Sequence, residues 1–484
     1  MEPNRLFIDG KWVPAHDDRT HPVTNPSTGK VFAEMAVASP SDVDAAVSAA
    51  RAALDDGKWA TMTGFGRRKA LLRFADELRA DAERIGGLNT DDVGMPLSFT
   101  VPTVGYCADY LEYFAGWADK VGGEAPAMPD GDLLDYTIRH PVGVVAAIVP
   151  WNIPVFITMA KLAPALAAGC AVVLKPSELA PLSPLAMVEA AARADLPPGV
   201  VNVVTGLGET GAALVEHPGV DMISFTGGGP TASHIARAAA GRFARLTLEL
   251  GGKSANIVFA DADLATAVDG VCQGFLINTG QQCTAGARVL VQRPVYEEVV
   301  ERVVEAADRY PIGMPREPTT LVGPLISQDH LDRVMGFVED AGSAGRVARA
   351  GERLGGDLAD GWFLSPTVVA DAELDHRLCR EEIFGPVVAV APFDTAAEAV
   401  TLANDSPFGL VAGVWSENVN TAHWVSRQLR TGTVWVNNYL GVLPPTPFGG
   451  HKASGLGREG GWDAVVGFTE TTNVMVRIRP PGEA

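Results

Sequence analysis

Between residues 142 and 259 the chain alternates short, unbroken apolar runs with stretches of helical periodicity. The runs begin near Val144, Ala171, Val201, Met222, Leu246 and Ala255, and helix-like stretches at 154–169, 183–194, 209–216 and 230–240 fill most of the gaps. Strands alternating with helices at this spacing predict βαβ units and a mostly parallel sheet. The runs VVAAIV and AVVLK lack polar alternation, as strands covered on both faces must. The implied class is a nucleotide-binding domain.

A second alternating region runs from about 261 to 440, with a helix at 262–277, a strand at 287–292, a helix at 295–308 and strands near Val387 and Val434. At the amino end, Phe7–Val13 reads as a hairpin, Ser39–Pro40 starts a helix with proline at its first position, and Arg67–Ile85 reads as one amphipathic helix. The Gly/Pro-rich stretch from Gly122 to Arg139 reads as an excursion from the core. Residues Phe468–Ile478 alternate as an exposed edge strand, which needs cover; a subunit partner is one source of it. No internal repeat or low-complexity linker divides the chain, so two lobes are expected to interleave.

Length and charge narrow the function. A chain of 484 residues exceeds one small core, and a formal charge of −20 repels nucleic acid and anionic membrane, leaving a small molecule as the expected partner. The first residues lack the order of a signal peptide, and no apolar run reaches a membrane span. Five cysteines without a C-x-x-C pair make a poor disulfide framework and fit a reducing cytoplasm. His16 and His21 have no cysteine pair beside them and no H-E-x-x-H occurs, which argues against a zinc site.

Six segments carry candidate chemistry. In Thr279-Gly-Gln-Gln-Cys283-Thr284 a cysteine follows a glycine turn in polar surroundings; it is either a nucleophile needing local activation or a buried structural thiol. Cys107, Cys170, Cys272 and Cys379 sit in apolar or helical contexts and read as structural. Glu249 interrupts an apolar strand just before Gly251-Gly252, where it is either a desolvated general base or an exposed strand-end charge. Asn152, in Pro150-Trp-Asn-Ile-Pro154, offers an amide N–H to an oxyanion, or is an ordinary turn residue. Gly206-x-Gly208-x-x-Gly211 and Phe225-Thr-Gly-Gly-Gly-Pro230 both follow strands and open helices, and either could cradle a pyrophosphate; Lys175-Pro-Ser-Glu178 adds a cation and a carboxylate.

Taken in order, PWN at 150–152, LKPSE at 174–178, FTG at 225–227, LELGGK at 248–253, GQxC at 280–283, EEIFGPV at 381–387 and PFGGHKxSGxGRE at 447–459 resemble the aldehyde dehydrogenase superfamily over essentially the whole chain. The resemblance implies an α/β fold in which a Rossmann-type cofactor domain interleaves with an α/β catalytic domain and a small β oligomerisation element. The corresponding boundaries are 1–121 and 142–250 for the cofactor domain, 251–453 for the catalytic domain, and 122–141 with 454–484 for the oligomerisation element and tail. Cys283 would then be the nucleophile, Glu249 the base for the deacylating water, and Asn152 with the Cys283 backbone N–H the oxyanion hole. Lys161 and Glu459 match positions that assist proton movement. NAD would be held by Lys175, Ser177 and Glu178 at the adenosine ribose and by Phe225, Thr226, Gly227 and Gly228 at the diphosphate. Gly208 would be a supporting turn beside adenosine, Glu382 would hold the nicotinamide ribose, and Trp151 and Phe384 would pack nearby. Relatives often carry Ser and Thr where this chain has Gly228 and Gly229, which weakens the expected hold on the diphosphate.

Glu249 also implies a free-acid product, because acylating relatives lack that carboxylate, and Glu178 implies NAD over NADP by repelling a 2′-phosphate. Ile153, Ile157, Ala160, Gln282, Thr284, Tyr439 and Leu443 are expected around the substrate, with no arginine to clamp a carboxylate. They predict a roomy apolar tunnel for aromatic, terpenoid or longer aliphatic aldehydes. A cysteine-dependent esterase or thioesterase, or a non-catalytic binding protein on the same fold, are the rival readings. Family resemblance and the tail strand imply a homodimer or a homotetramer.

Overall fold

The computed structural model describes residues 4–479. Its first sheet has eight strands, in the spatial order Gly455–Leu456, Arg245–Leu250, Met222–Gly227, Val144–Ile148, Ala171–Lys175, Val201–Val203, Leu6–Ile8 and Lys11–Val13. The five strands from Arg245–Leu250 to Val201–Val203 run parallel, and antiparallel strands close both edges. Val144–Ile148 has its successor Ala171–Lys175 on one side and Met222–Gly227 on the other. The winding direction therefore reverses there, and such a switch point opens a crevice at the carboxyl ends of the strands. Apolar cores cover both faces of this sheet, one around Val145, Leu162 and Leu174, the other around Val144, Val173 and Ile223. This is why these strands read as continuous apolar runs.

The second sheet has seven strands: Arg346–Arg349, Thr367–Ala370, Val387–Phe393, Arg288–Gln292, Ala255–Val258, Val411–Trp415 and Thr433–Val436. All pairings are parallel except that of Arg346–Arg349 with its neighbour. Ala255–Val258, which the sequence pattern groups with the first region, lies at the heart of this second sheet. The chain crosses between sheets in the turn Gly251–Ser254. Periodicity reports that a strand exists and is buried; it does not report its neighbour.

The expected helices form as Pro154–Ala168, Leu182–Arg193, Gly208–Glu216, Gly229–Ala240, Leu264–Leu276 and Tyr296–Arg309. Asp9 and Gly10, both at positive φ, turn the amino-terminal hairpin, as a two-residue Asp-Gly loop favours. Ser39 closes a capping box with Asp42 ahead of the helix Pro40–Asp55. The stretch read as one helix over 67–85 is two, Gly64–Ala80 and Ala82–Val93. They break at Asp81, whose carboxylate binds Arg84 and Arg193. A long helix, Leu97–Ala115, was not anticipated; it has Pro102 inside and packs against Pro154–Ala168. The excursion and the tail meet: Leu133–Pro141 and Thr469–Arg477 pair antiparallel over nine residues as a two-stranded ribbon.

Candidate active site

A cleft of about 440 Å³ opens at the switch point. Its floor is the carboxyl ends of three strands, at Ile148, Lys175 and Phe225–Gly227, and its walls are the helices Gly208–Glu216 and Gly229–Ala240. Trp151, Lys175, Ser177, Glu178, Gly208, Phe225, Thr226, Gly227 and Gly228 all line it, so the cofactor residues expected from PWN, LKPSE and FTG converge here. Val215, Ile235 and Ala238 supply an apolar slot, while Lys175 Nζ and Glu178 Oε2 stand 3.9 Å apart at the rim. Burial pulls the Lys175 ammonium below its usual range, against the attraction of Glu178 and Glu209.

Two features fit this cleft to a dinucleotide. No side chain caps the helix that begins at Gly229, so its first N–H groups remain for an anion. Thr226 Oγ1 is buried and has no partner among the described residues. A Cβ on Gly228 would meet nothing closer than Pro230 Cδ at 3.9 Å, and one on Gly229 would meet open space. The loss of hydroxyls after FTG is therefore not imposed by crowding. The glycine pattern at 206–211 serves its turn: a Cβ on Gly206 would strike Thr210 Oγ1 at 2.1 Å.

Cys283 lies on a loop that ends the helix Leu264–Leu276. Asn278, Thr279 and Gly280 all hold positive φ, and a Cβ on Gly280 would come within 2.3 Å of Gly385 O, so glycine is required there. The loop is sewn to the PWN turn: Asn152 Nδ2 donates to Gln281 O at 2.9 Å, and Asn278 Nδ2 donates to Asn152 O at 2.9 Å and to Gln281 O at 3.2 Å. Of the five cysteines, Cys283 alone is only partly buried. Burial, then the charges of Glu382 and Glu249, push its thiol up to about 12, while the backbone N–H groups of Cys283 and Thr284 pull the other way. Burial raises Cys107, Cys170, Cys272 and Cys379 as well, without such a setting.

Glu249 sits on the first sheet's strand opposite Thr226 and Gly455, and it is buried, not an exposed strand end. Neither carboxylate oxygen has a hydrogen-bond partner among the described residues. Burial and the nearby Glu459 raise its acid well above the carboxylate range; Lys161 and Arg458 oppose this. Gly449 is needed beside it, since a Cβ there would lie 2.7 Å from Glu249 Oε1. Behind it, Lys161 Nζ donates to Glu459 Oε1 at 2.7 Å and to Ser224 Oγ at 3.0 Å in a buried cluster.

Glu382 reaches the other side of the Gly251-Gly252 turn, where Gly252 N–H donates to Glu382 Oε1 at 3.0 Å. A Cβ on Gly251 would lie 2.0 Å from Glu382 Oε2, and one on Gly252 would lie 2.8 Å from Cys283 O. These glycines thus let a carboxylate and the nucleophile loop close on one turn. Burial moves Glu382 up to about 7, against the Gly252 N–H, Lys253 and Arg333. Phe384, at positive φ, sets its ring 5.3 Å from that of Trp151. Sequence reasoning missed the supports of this segment. His330 Nε2–H donates to Phe384 O at 2.7 Å, while Arg333 donates to the carbonyls of Glu382 and Ile383. Burial holds His330 near 4, so the ring is neutral at pH 7. The only local signal was the amphipathic run 328–339 that carries both side chains.

Several residues expected around the substrate have other work. Tyr439 is buried, and its hydroxyl donates to Thr284 O at 2.9 Å, so it props the nucleophile loop from behind instead of forming an apolar wall. Gln282 Nε2 donates to Ile277 O and Gln282 Oε1 accepts from Thr284 Oγ1, which fixes both within the loop. Ala160 is core, 2% exposed. Ile153 and Ile157 are partly buried, and Leu443 is exposed. An aromatic array that sequence reading passed over flanks them: Phe156 lies 6.0 Å from Tyr106 and 5.6 Å from Tyr110, and Trp117 lies 4.7 Å from Trp462. The Tyr106 hydroxyl donates to Val442 O, tying the loop 439–446 to the helix Leu97–Ala115.

A cleft at the switch point of a parallel sheet, with the PWN turn joining it to the loop that carries Cys283, has the layout of a nucleotide-dependent enzyme. Residues 12–474 match the aldehyde dehydrogenase family. An Acinetobacter baylyi relative, (Z)-2-((N-methylformamido)methylene)-5-hydroxybutyrolactone dehydrogenase, is 40% identical over 99% of this chain and 98% of its own. The NAD+ complex of an aldehyde dehydrogenase from Bacillus cereus superposes with a TM-score of 0.96 at 41% identity, covering 99% of this chain and 97% of that one. Betaine aldehyde dehydrogenase from Staphylococcus aureus, in complex with NAD+, gives a TM-score of 0.96 at 36% identity, covering 99% and 95%. The chain belongs to the aldehyde dehydrogenase family.

The burial of Glu249 generates a pH prediction. As the expected base, Glu249 would have to lose its proton before taking one from water, so turnover limited by deacylation is expected to rise with pH through its raised pKa. Glu249→Gln should remove that limb and lower kcat by about 10²–10⁴-fold. A kcat profile that keeps the limb in the variant would assign the ionisation elsewhere.

Proposed function

We propose that the chain oxidises an apolar aldehyde, of the aromatic, terpenoid or longer aliphatic kind, to the free carboxylic acid with NAD. The observation that carries this reading is the setting of Cys283, the one cysteine that is not fully buried: Asn152 Nδ2 binds Gln281 O two residues before it, the unpartnered Glu249 carboxylate is close enough to raise its thiol, and the adjacent Trp151 lines the cofactor cleft. The enzyme is an NAD-dependent aldehyde dehydrogenase. Bound NAD supplies the acceptor for hydride. Lys175, Ser177, Glu178 and the FTG loop hold its adenosine and diphosphate end, and Glu382 its nicotinamide ribose.

Cys283 gives up its thiol proton to solvent, a loss that the backbone N–H groups of Cys283 and Thr284 favour, and Sγ adds as thiolate to the aldehyde carbon. The carbonyl oxygen becomes an alkoxide, to which Asn152 Nδ2 and the Cys283 backbone N–H donate; only one Asn152 hydrogen is taken by Gln281 O. As the carbon–oxygen double bond re-forms, hydride leaves the carbon and a thioester remains on Cys283. Glu249 then takes a proton from water, the resulting hydroxide adds to the thioester carbon, and the carbon–sulfur bond breaks to release the acid. Glu459 and Lys161, whose charges Glu249 feels, are placed to pass its proton on. A cysteine esterase would need the thiol and the amide, but it leaves the Lys175–Glu178 cleft without a purpose.

The apolar substrate class is supported by Phe156, Ile157 and Tyr106 on the helices next to Asn152. NADH formation across a panel of aldehydes tests it, with Cys283→Ala expected to lose at least 10⁴-fold in turnover, the order of a removed nucleophile. Benzaldehydes and long-chain aldehydes should lead. A preference for acetaldehyde, betaine aldehyde or a carboxylated semialdehyde would overturn the apolar reading, and turnover retained in Cys283→Ala would overturn the mechanism.

Glu178 gives the cofactor preference, because its carboxylate accepts from a 2′-hydroxyl and repels a 2′-phosphate. Glu178→Ala should raise kcat/KM with NADP about tenfold or more, one lost charge repulsion being worth over ~1.4 kcal/mol. An unchanged NADP efficiency would remove Glu178 from that role.

Residues 1–121 with 142–250 are assigned to the cofactor domain, 251–453 to the catalytic domain, and 122–141 with 454–484 to oligomerisation and the tail. The ribbon supports the last assignment: two strands alone are marginal in water, and Leu134, Ile138, Met475 and Val476 stand exposed on it. A homodimer or homotetramer follows, and sedimentation as a stable monomer would refute it. Five free cysteines fit the cytoplasm as the compartment, and no helix among the described residues is long and apolar enough to cross a membrane.

A further inference from the structure

We infer that Asn278 is a positioning residue for the oxyanion hole, acting through Asn152 and the nucleophile loop without touching the substrate. The proposal rests on the role given above to the Asn152 amide. Asn278 lies five residues before Cys283 and is buried, 2% exposed. Its side-chain nitrogen carries two hydrogens and uses both, one for Asn152 O at 2.9 Å and one for Gln281 O at 3.2 Å. Its own carbonyl accepts from Gln281 N at 3.0 Å and from Gln281 Nε2 at 3.1 Å. Asn152 Nδ2 completes the ring by donating to Gln281 O.

The ring joins two segments more than a hundred residues apart, one carrying the amide donor and one carrying the sulfur. Asn152 is held at both ends, its backbone carbonyl by Asn278 and its side-chain nitrogen through Gln281. With only the latter bond the turn could rotate about its anchored amide, and the free Asn152 N–H would swing away from the alkoxide. Asparagine suits the position twice over. It tolerates the left-handed φ of 52° at which the loop leaves its helix, and its amide offers two donors to two carbonyls. Gln281 is pinned further by Ile326 N–H, which donates to Gln281 Oε1 at 2.9 Å, so movement in a variant is directed into the Asn152 turn.

The test uses Asn278→Asp, equal in shape but facing two carbonyl oxygens with acceptors, and Asn278→Gly, which keeps the left-handed backbone if the charged variant fails to fold. Turnover is expressed per thiol titrated at Cys283, and NAD affinity is followed by cofactor fluorescence. Dehydrogenase turnover and hydrolysis of p-nitrophenyl acetate, which share one oxyanion, should fall together by about 10–100-fold, the order that a misplacement of up to 1 Å costs. NAD affinity should stay within about twofold. In an Asn152→Ala background the same Asn278 substitution should add little, because the group it positions is gone. Multiplying losses in the double variant, or full turnover per titrated thiol in Asn278→Asp, would overturn the proposal. If Asn152→Ala alone left turnover intact, the oxyanion assignment itself would fail.

Discussion

Two lobes built on separate parallel sheets are tied together next to Cys283 by a small set of amide contacts, where Asn152 Nδ2 donates to Gln281 O and Asn278 Nδ2 to Asn152 O. Everything that gives Cys283 a use depends on this junction. The amide proposed to meet the alkoxide follows a first-sheet strand, and the sulfur sits on a loop of the second lobe. The turn Gly251–Ser254, which crosses between the sheets, runs past the same place. It is lined with glycines because Glu382 and the Cys283 carbonyl both press on it, and any Cβ there would displace one of them. A reacting carbon between sulfur and amide is therefore held by elements that cannot shift independently, which is the structural content of orientation in catalysis.

Burial then sets the electrostatics. Glu249, Glu382 and Cys283 are each pushed toward the neutral form chiefly by desolvation; Glu382 and Glu249 further raise Cys283, and Glu459 further raises Glu249. Leaving a carboxylate buried without a partner costs folding free energy. The same desolvation raises the proton affinity of Glu249, which is what its proposed role as base toward water requires. Supporting groups are kept out of the titration: His330 stays neutral behind Phe384, and Tyr439 is driven above the usual phenol range by burial.

The parallel core was legible in the sequence because strands covered on both faces must be apolar throughout, and helices of 9 to 15 residues fit the gaps between them. Membership of a sheet was not legible. Ala255–Val258 looks like its predecessors and pairs with Arg288–Gln292 and Val411–Trp415, far ahead in the chain. The break at Asp81 was hidden for a related reason, since Arg193 lies more than a hundred residues away. Cys283, Glu249, Asn152 and the cleft residues stood in motifs; the fold gathers the cleft residues at the switch point and ties Asn152 to the loop that carries Cys283. Asn278 acts on a carbonyl of the other lobe, and His330 and Arg333 act on carbonyls about fifty residues ahead in the chain, roles with no local signature. Tyr439 was read by its apolar ring, but its hydroxyl decides its place.

The central claim is that the acyl group of the substrate is carried on Cys283 before water reaches it. The most direct measurement is rapid mixing of the Glu249→Gln variant with NAD and a turned-over aldehyde, followed by acid quench and peptide mass analysis. One NADH per titrated thiol should form in a burst, and the peptide bearing Cys283 should gain the mass of the acyl group. A burst without an adduct on Cys283, or an adduct on another cysteine, would contradict the account.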